Sequence, residues 1–271
     1  MKCPVCFRHC ELAEGQVGFC RARVNRGGRI VAKNYGAVTS LALDPIEKKP
    51  LLLFHPGSKI LSVGSYGCNL RCPFCQNYEI SQFDLSQSAD ILTPEALVEY
   101  AQELVPQGNI GLAYTYNEPL VGYEFVRDCA RLIHERGLLN VLVSNGTASL
   151  DVLGQVLPYI DAMNVDLKGF SEEFYRFVGG DLGMVKDFIA LACRESHLEI
   201  TTLIIPGRND SKAMMEEEAR WIASLDPEIA LHITRYFPRY KEKEPPTEVG
   251  ALSELAAVAR RYLKHVYLGN V

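Results

Sequence analysis

The sequence predicts an α/β fold: a partial (β/α)6 barrel of the TIM type with a small cysteine-rich, metal-binding extension at its N-terminus. Three observations lead there. From residue 59 onward, six apolar strand-like runs alternate with segments of helical periodicity, the pattern of parallel strands joined by right-handed crossovers. The 271 residues suffice for one large core, and α/β barrels of this size commonly form a single domain. Ahead of the first run, Cys3, Cys6, Cys10 and Cys20 crowd a segment too short to build a core of its own. The expected organisation is residues 1–57 as the cysteine-rich extension of short strands and turns, and 58–271 as the barrel.

Composition narrows the function classes. Hydrophobic residues make up 48% and charged residues 23%, ordinary values for a globular protein. Lys plus Arg number 28 against 33 Asp plus Glu, a net charge of −5, which argues against a nucleic-acid partner. No apolar run reaches the roughly 18 residues of a membrane span, so no membrane partner is expected. Met1-Lys2-Cys3-Pro4 opens without the apolar stretch of a signal peptide, giving the expectation of a reducing, cytoplasmic compartment. There the nine cysteines read as metal ligands before they read as disulfides.

Taken in order, the first set has the spacing C-x2-C-x3-C-x9-C over Cys3, Cys6, Cys10 and Cys20, with Gly15 and Gly18 supplying turns. Four thiolates at this density suit a tetrahedral zinc site, which folds a short segment outright, or an auxiliary iron–sulfur cluster. A cysteine cluster without metal is the third reading. Gly27-Gly28 signals a hairpin leading into a strand at Arg29–Ala32. Asp44-Pro45-Ile46-Glu47-Lys48-Lys49-Pro50-Leu51 is a charge cluster between prolines, read as a solvated loop or as the rim of the next site.

The strand Lys59–Gly64 then delivers the chain to Gly67-Cys68-Asn69-Leu70-Arg71-Cys72-Pro73-Phe74-Cys75-Gln76-Asn77. Thiolates are the usual ligands of iron–sulfur clusters, and three of them within eight residues wrap a four-iron cluster while leaving one iron without a protein ligand. An open coordination position marks a reactive centre. A partial zinc site or three buried thiols are the plainer alternatives.

Beyond Cys75, strands are expected at Ile110–Thr115, Leu139–Ser144, Ala162–Leu167, Leu198–Ile205 and Ile229–Thr234. Helices are expected at Thr93–Val105, Leu120–Arg136, Leu150–Leu157, Met184–Cys193 and Ser211–Leu225, the first announced by an N-cap threonine before Pro94. In such folds the chemistry sits at the C-terminal ends of the strands. Those ends carry Asn117 and Glu118, then Ser144 and Asn145, then Asp166 and Lys168, and further polar turns at 205–210 and 232–238. Asp166 and Lys168 are two apart and point the same way, an acid and a base offered to one zwitterion. Tyr236, Tyr240 and Arg235 either line the mouth or pack. His55, His134, His197 and His265 show no clear partner and read as structural, and Cys129 and Cys193 as small core residues.

These segments together resemble the radical S-adenosylmethionine (SAM) activating enzymes of the pyruvate formate-lyase-activating type, and more narrowly the AmmeMemoRadiSam radical SAM branch. The residues that carry the resemblance are the N-terminal cysteines, Asp44–Leu51, Gly67–Asn77, Tyr114–Pro119, Asp166–Lys168, Ile205–Asp210 and the closing Tyr267–Val271. It implies that Cys68, Cys72 and Cys75 ligate a [4Fe–4S] cluster whose open iron takes SAM. It implies that Asn117-Glu118 falls where the superfamily meets the SAM amino group, that Asp166 and Lys168 meet the amino acid part, and that Ser144 and Asn145 lie beside the same ligand. The activity implied is reductive cleavage of SAM to a 5′-deoxyadenosyl radical that abstracts hydrogen from a substrate, installing a glycyl radical on a partner enzyme. A reducing protein such as ferredoxin or flavodoxin is the implied electron source. Two other readings stand beside it: radical modification of a small molecule or peptide, and a non-catalytic zinc-binding module.

Overall fold

In the computed structural model, which describes residues 1–271, the alternation read from the sequence becomes one eight-stranded sheet with helices packed outside it. The strands are β1 (Arg23–Arg26), β2 (Arg29–Ala32), β3 (Ala37–Val38), β4 (Ser40–Pro45), β5 (Lys59–Gly64), β6 (Asp90–Ile91), β7 (Asn109–Tyr114), β8 (Leu139–Ser144), β9 (Ala162–Asp166), β10 (His197–Ile204), β11 (Ala230–Arg235) and β12 (Val266–Gly269). The helices are α1 (Tyr78–Ser81), α2 (Pro94–Glu103), α3 (Tyr123–Glu135), α4 (Leu150–Val156), α5 (Glu172–Val178), α6 (Leu182–Glu195), α7 (Lys212–Leu225) and α8 (Val249–Ala259). The sheet order is β12-β11-β10-β9-β8-β7-β5-β4. Its six central strands, β5 and β7 to β11, are the six expected and run parallel, forming the partial barrel.

Two flanking strands escape the alternation. β12 adds parallel to β11 at one edge. At the other, β4 pairs antiparallel with β5 over its full length, so a strand from within the first 57 residues is built into the main sheet. The β1–β2 hairpin forms where Gly27-Gly28 signals it. Both glycines have positive φ, 59° and 68°, which a two-residue turn between twisted strands requires.

Local signals set the helix starts. Thr93, Ser149, Ser171, Asp181 and Ser211 each accept a bond from the backbone N–H three residues on. The helix expected from Leu120 begins instead at Tyr123, because Pro119–Gly122 forms a tight 3-10 turn after Glu118. Helices α5 and α8 lie outside the expected segments, although the buried Leu252, Leu255, Ala256 and Ala259 of α8 have helical spacing.

Side chains alternate across each strand. One parity, including Leu61, Val63, Leu112, Leu142, Met163, Val165, Ile200 and Ile233, packs against the helices in the principal core. The other parity faces the barrel interior. Ile60, Ala113, Val141 and Ala162 there meet Ile46 and Leu51, both fully buried. The Asp44–Leu51 segment, expected as a solvated loop or rim, is therefore largely a plug closing the N-terminal mouth of the barrel. No helix is long and apolar enough to cross a membrane.

Candidate active site

The site forms at the C-terminal ends of the strands, and its first element is the loop after β5. Asn117 clamps that loop from the end of β7. Its Oδ1 accepts from Ser65 N at 3.1 Å, and its Nδ2 donates to Tyr66 O at 3.3 Å and Gly67 O at 3.0 Å. Gly67, at φ 93°, has the Cys20 carbonyl 2.5 Å from where a Cβ would sit, so only glycine fits. Arg71 folds back to donate to Cys68 O and Leu70 O at 2.9 and 2.8 Å. These contacts fix where Cys68 leaves the backbone.

Around the sulfurs, hydrogen-bond donors gather. Leu70 N–H points at Cys68 Sγ at 3.4 Å, and Asn145 Nδ2 reaches the same sulfur at 3.7 Å. Burial raises the pKa of all three thiols, that of Cys72 to about 12, while Lys168 pulls Cys72 and Cys75 the other way. A cationic centre bound to the sulfurs would reverse that balance in favour of thiolate. No three His, Cys, Asp or Glu side chains converge as ligands of one ion. Each thiolate of a cubane would bind a different iron, so three cysteines would account for three of its four irons.

Glu118 is 1% exposed and lies beside Cys68. Its carboxylate accepts from Leu120 N at 3.1 Å, Ser144 Oγ at 2.9 Å and Asn145 N at 2.8 Å. Burial pushes its pKa up to about 7 against those three donors. Glu118 thus organises the Ser144-Asn145 turn. Asn145 in turn holds Asn69 Oδ1 at 3.0 Å, and Asn69 donates to Thr147 Oγ1 at 2.7 Å. The Ser144–Asn145 end of β8 and the cysteine loop are one hydrogen-bonded unit.

Asp166 ends β9 on its interior face, and Lys168, two residues beyond the strand, places its Nζ 2.7 Å from Asp166 Oδ2. Burial alone would lower the Lys168 pKa, but the Asp166 carboxylate and the Cys72 sulfur raise it well above the ordinary lysine value. Side-chain exposures of 32% for Asp166 and 17% for Lys168 leave both accessible from the mouth. The pair offers one anion and one cation beside Cys72 and Cys75, which suits a zwitterion such as an amino acid. All of the sequence-predicted residues at this barrel end therefore gather at one place.

Below them the interior is polar, a feature the sequence reading missed. Glu199, with no exposed surface, accepts from Leu53 N at 2.8 Å and Leu52 N at 3.1 Å and pairs with His197 at 3.0 Å and His232 at 2.6 Å. Burial would raise its carboxyl, but the two histidines and two N–H groups outweigh that and hold it at about 2. His197 is thus not partnerless, nor is His265, which meets Glu228 at 3.2 Å. Lys49, 2% exposed, pairs with Asp44 at 2.9 Å, and Tyr116 OH donates to the same carboxylate at 2.7 Å. Burial would raise Asp44, but bonds from Lys49, Tyr116 and Lys48 bring it to about 2. On the same interior face, Asn164, in register with Glu199, and Thr201, in register with Asp166, have their Oδ1 and Oγ1 buried without partners. The signal was present as polar residues at every second position, Asn164-Asp166 and Glu199-Thr201, within otherwise apolar strands.

Over the mouth, residues 237–246 form a loop pinched at its base by Thr247 N to Tyr236 O at 3.2 Å. Its tip donates Lys241 N and Glu242 N to Pro73 O at 2.8 and 3.0 Å, and Tyr240 stacks on Tyr78 at 4.6 Å. Tyr240 is thereby part of a strap from the end of β11 to the cysteine loop.

Similarity to known proteins extends over most of the chain. Residues 62–222 match the family model of the Radical SAM superfamily. An uncharacterized protein of Methanocaldococcus jannaschii is 39% identical over 276 residues, covering all of this chain and 81% of the relative. A second protein of that organism, provisionally named a glycyl-radical enzyme activating enzyme, is 25% identical over 76% of this chain and 87% of its own length. The crystal structure of a radical SAM methyltransferase from Sphaerobacter thermophilus superposes with a TM-score of 0.62 at 17% identity, covering 79% of this chain and 67% of that one.

Proposed function

Because the chain belongs to the radical SAM superfamily, we propose that Cys68, Cys72 and Cys75 hold a [4Fe–4S] cluster, and that Asp166, Lys168, Ser144 and Asn145 hold SAM against it. The observation that carries this reading is the Asp166–Lys168 pair, open to the mouth and within electrostatic reach of Cys72 and Cys75. When bound, the cluster supplies the electron that splits the SAM sulfonium bond and yields the 5′-deoxyadenosyl radical that takes hydrogen from a substrate.

The chain's own residues position and shield. Asp166 accepts from the ligand's ammonium group and Lys168 donates to its carboxylate, each exchanging its present partner for the ligand. Glu118 acts one residue further out, fixing the Ser144-Asn145 turn and, through Asn145, the setting of Cys68. Asn117 holds the loop that presents all three sulfurs. Asn164 Oδ1 accepts a hydrogen bond from a substrate entering the interior, and Thr201 Oγ1 either donates or accepts one. The floor built by Glu199, His232 and the 46–53 plug closes the interior to water from below.

The substrate we propose is a glycine-bearing segment of a partner enzyme, as the similarity to a relative named as a glycyl-radical activator suggests. A second reading, modification of a small molecule or peptide, is favoured by the strap from β11 to Pro73, which narrows the mouth. The test is anaerobic purification, iron and sulfide analysis, and SAM cleavage under a strong reductant. About four irons in the Cys68 loop and 5′-deoxyadenosine formation, both lost in Cys72→Ala, are expected. Iron-free protein that cleaves no SAM after reconstitution overturns the reading. Candidate acceptors deuterated at glycine then separate the two substrates by deuterium transfer into 5′-deoxyadenosine.

A further inference from the structure

Behind the cysteine loop, a ring of buried side chains ends on one sulfur. Gly146, at φ 69°, turns the chain after β8, and Asn145 adds a turn of its own, its Oδ1 accepting from Thr147 N at 3.0 Å. A backbone N–H can only donate, so this contact fixes which end of the amide is oxygen, and Nδ2 faces the other way. Nδ2 has two hydrogens and finds two acceptors, Asn69 Oδ1 at 3.0 Å and Cys68 Sγ at 3.7 Å. Asn69 Nδ2 donates to Thr147 Oγ1 at 2.7 Å, and that hydroxyl gives its hydrogen to Asn145 Oδ1, which closes the ring. Asn69, Asn145 and Thr147 are all buried, and Glu118 holds the Asn145 backbone N–H at 2.8 Å.

Packing alone does not account for the contact with sulfur. A buried amide is stable when its hydrogens meet acceptors, and oxygen serves that need better than a thiol, which is a weak acceptor. Here one hydrogen of an otherwise oxygen-bound amide goes to sulfur, and Leu70 N–H points at the same atom from 3.4 Å. Two donors converging on one sulfur suit a thiolate, because a hydrogen bond to an ionised acceptor is about twice as strong as one between neutral groups.

Resting on the assignment of Cys68 as a cluster ligand, we propose that Asn145 is a positioning residue that sets the reduction potential of the cluster through the Cys68 sulfur. One electron added to a cluster increases the negative charge on its sulfurs, and a donor aimed at a sulfur stabilises that state more than the oxidised one. Removing the donor therefore drives the potential more negative. The donor is held by the chain's own atoms, so the effect does not depend on SAM.

The experiment is an EPR-monitored redox titration of the anaerobically purified full chain without SAM, beside Asn145→Leu, with iron and acid-labile sulfide measured on both. At parental iron and sulfide content, Asn145→Leu is expected to shift the reduction equilibrium about tenfold towards the oxidised form, about 59 mV more negative for one electron. A parental potential at parental iron content overturns the inference and leaves the Cys68 cluster untouched. Unmodified protein that holds no iron after reconstitution overturns the cluster assignment itself, and the inference with it. Should Asn145→Leu lose its iron, Thr147→Val is read instead; it removes the hydroxyl that steadies Asn145 Oδ1 and accepts from Asn69, while leaving the Asn145 amide in place. A more negative potential in that variant supports the inference, and a parental one refutes it.

Discussion

Replacing Glu199 by glutamine removes the one charge that ties β10, β11 and the 46–53 plug together. The carboxylate has no exposed surface and receives two backbone N–H groups and two imidazoles. Its pKa falls from 4.5 to about 2 in the folded chain, a difference worth roughly 3 kcal/mol. The folded-state value is depressed, so this stability is fully present above about pH 4.5 and is lost as pH falls towards 2. Glu199→Gln should therefore cost about 3 kcal/mol at pH 7, which for a domain of this size lowers Tm by about 6–12 °C. Paired thermal melts of the holoprotein between pH 8 and pH 5 check the plateau, where the gap between the two proteins stays constant. Urea unfolding of the apoproteins below pH 4.5 checks the narrowing. A variant that melts within a degree of the parent at pH 7, or a gap that widens on acidification, refutes the assignment of Glu199 as an ionised keystone.

Glu218 gives the opposite sign. Burial against β10 pushes its carboxyl up to about 8 despite the hydroxyl of Thr202, so the native chain loses stability as pH rises from about 4.5 to 8. Glu218→Gln should melt higher than the parent at pH 9, by at most roughly 5 kcal/mol, and the same at pH 4; equal melts at both values would sink the idea. Asp166→Asn and Lys168→Met should each weaken SAM binding about 10- to 100-fold in equilibrium dialysis with iron content unchanged, since each removes one charge-assisted contact. Unaltered affinity removes the pair from the SAM site. Asn117→Ala frees the 65–67 segment from its clamp and should destabilise the loop by about 1–3 kcal/mol. Faster iron loss to a chelator is the readout, and a parental rate argues against the clamp.

The sequence by itself determined what depends on near neighbours. Alternating apolar periods specified the six central strands, because side-chain direction repeats every two residues in a strand and every 3.6 in a helix. Thr93 before Pro94 marked a helix start, Gly27-Gly28 marked a hairpin, and Cys68-x3-Cys72-x2-Cys75 marked a candidate metal-binding loop. Asp166 and Lys168 were legible as a pair because a strand aims residues two apart in one direction. What only the tertiary structure decided involves partners far along the chain. Glu199 meets backbone 146 residues earlier, so nothing near it in sequence told that His197 and His232 would share a buried carboxylate. Lys49 reads as a surface charge until Asp44 and Tyr116 enclose it beneath the barrel floor. Asn117 and Glu118, read as ligand contacts, spend their polar atoms holding the cysteine loop and the Asn145 turn, since a buried polar group must find a partner and the nearest ones come from other strands. Periodicity reports which face a residue occupies; only the closed packing of the chain decides which group waits there.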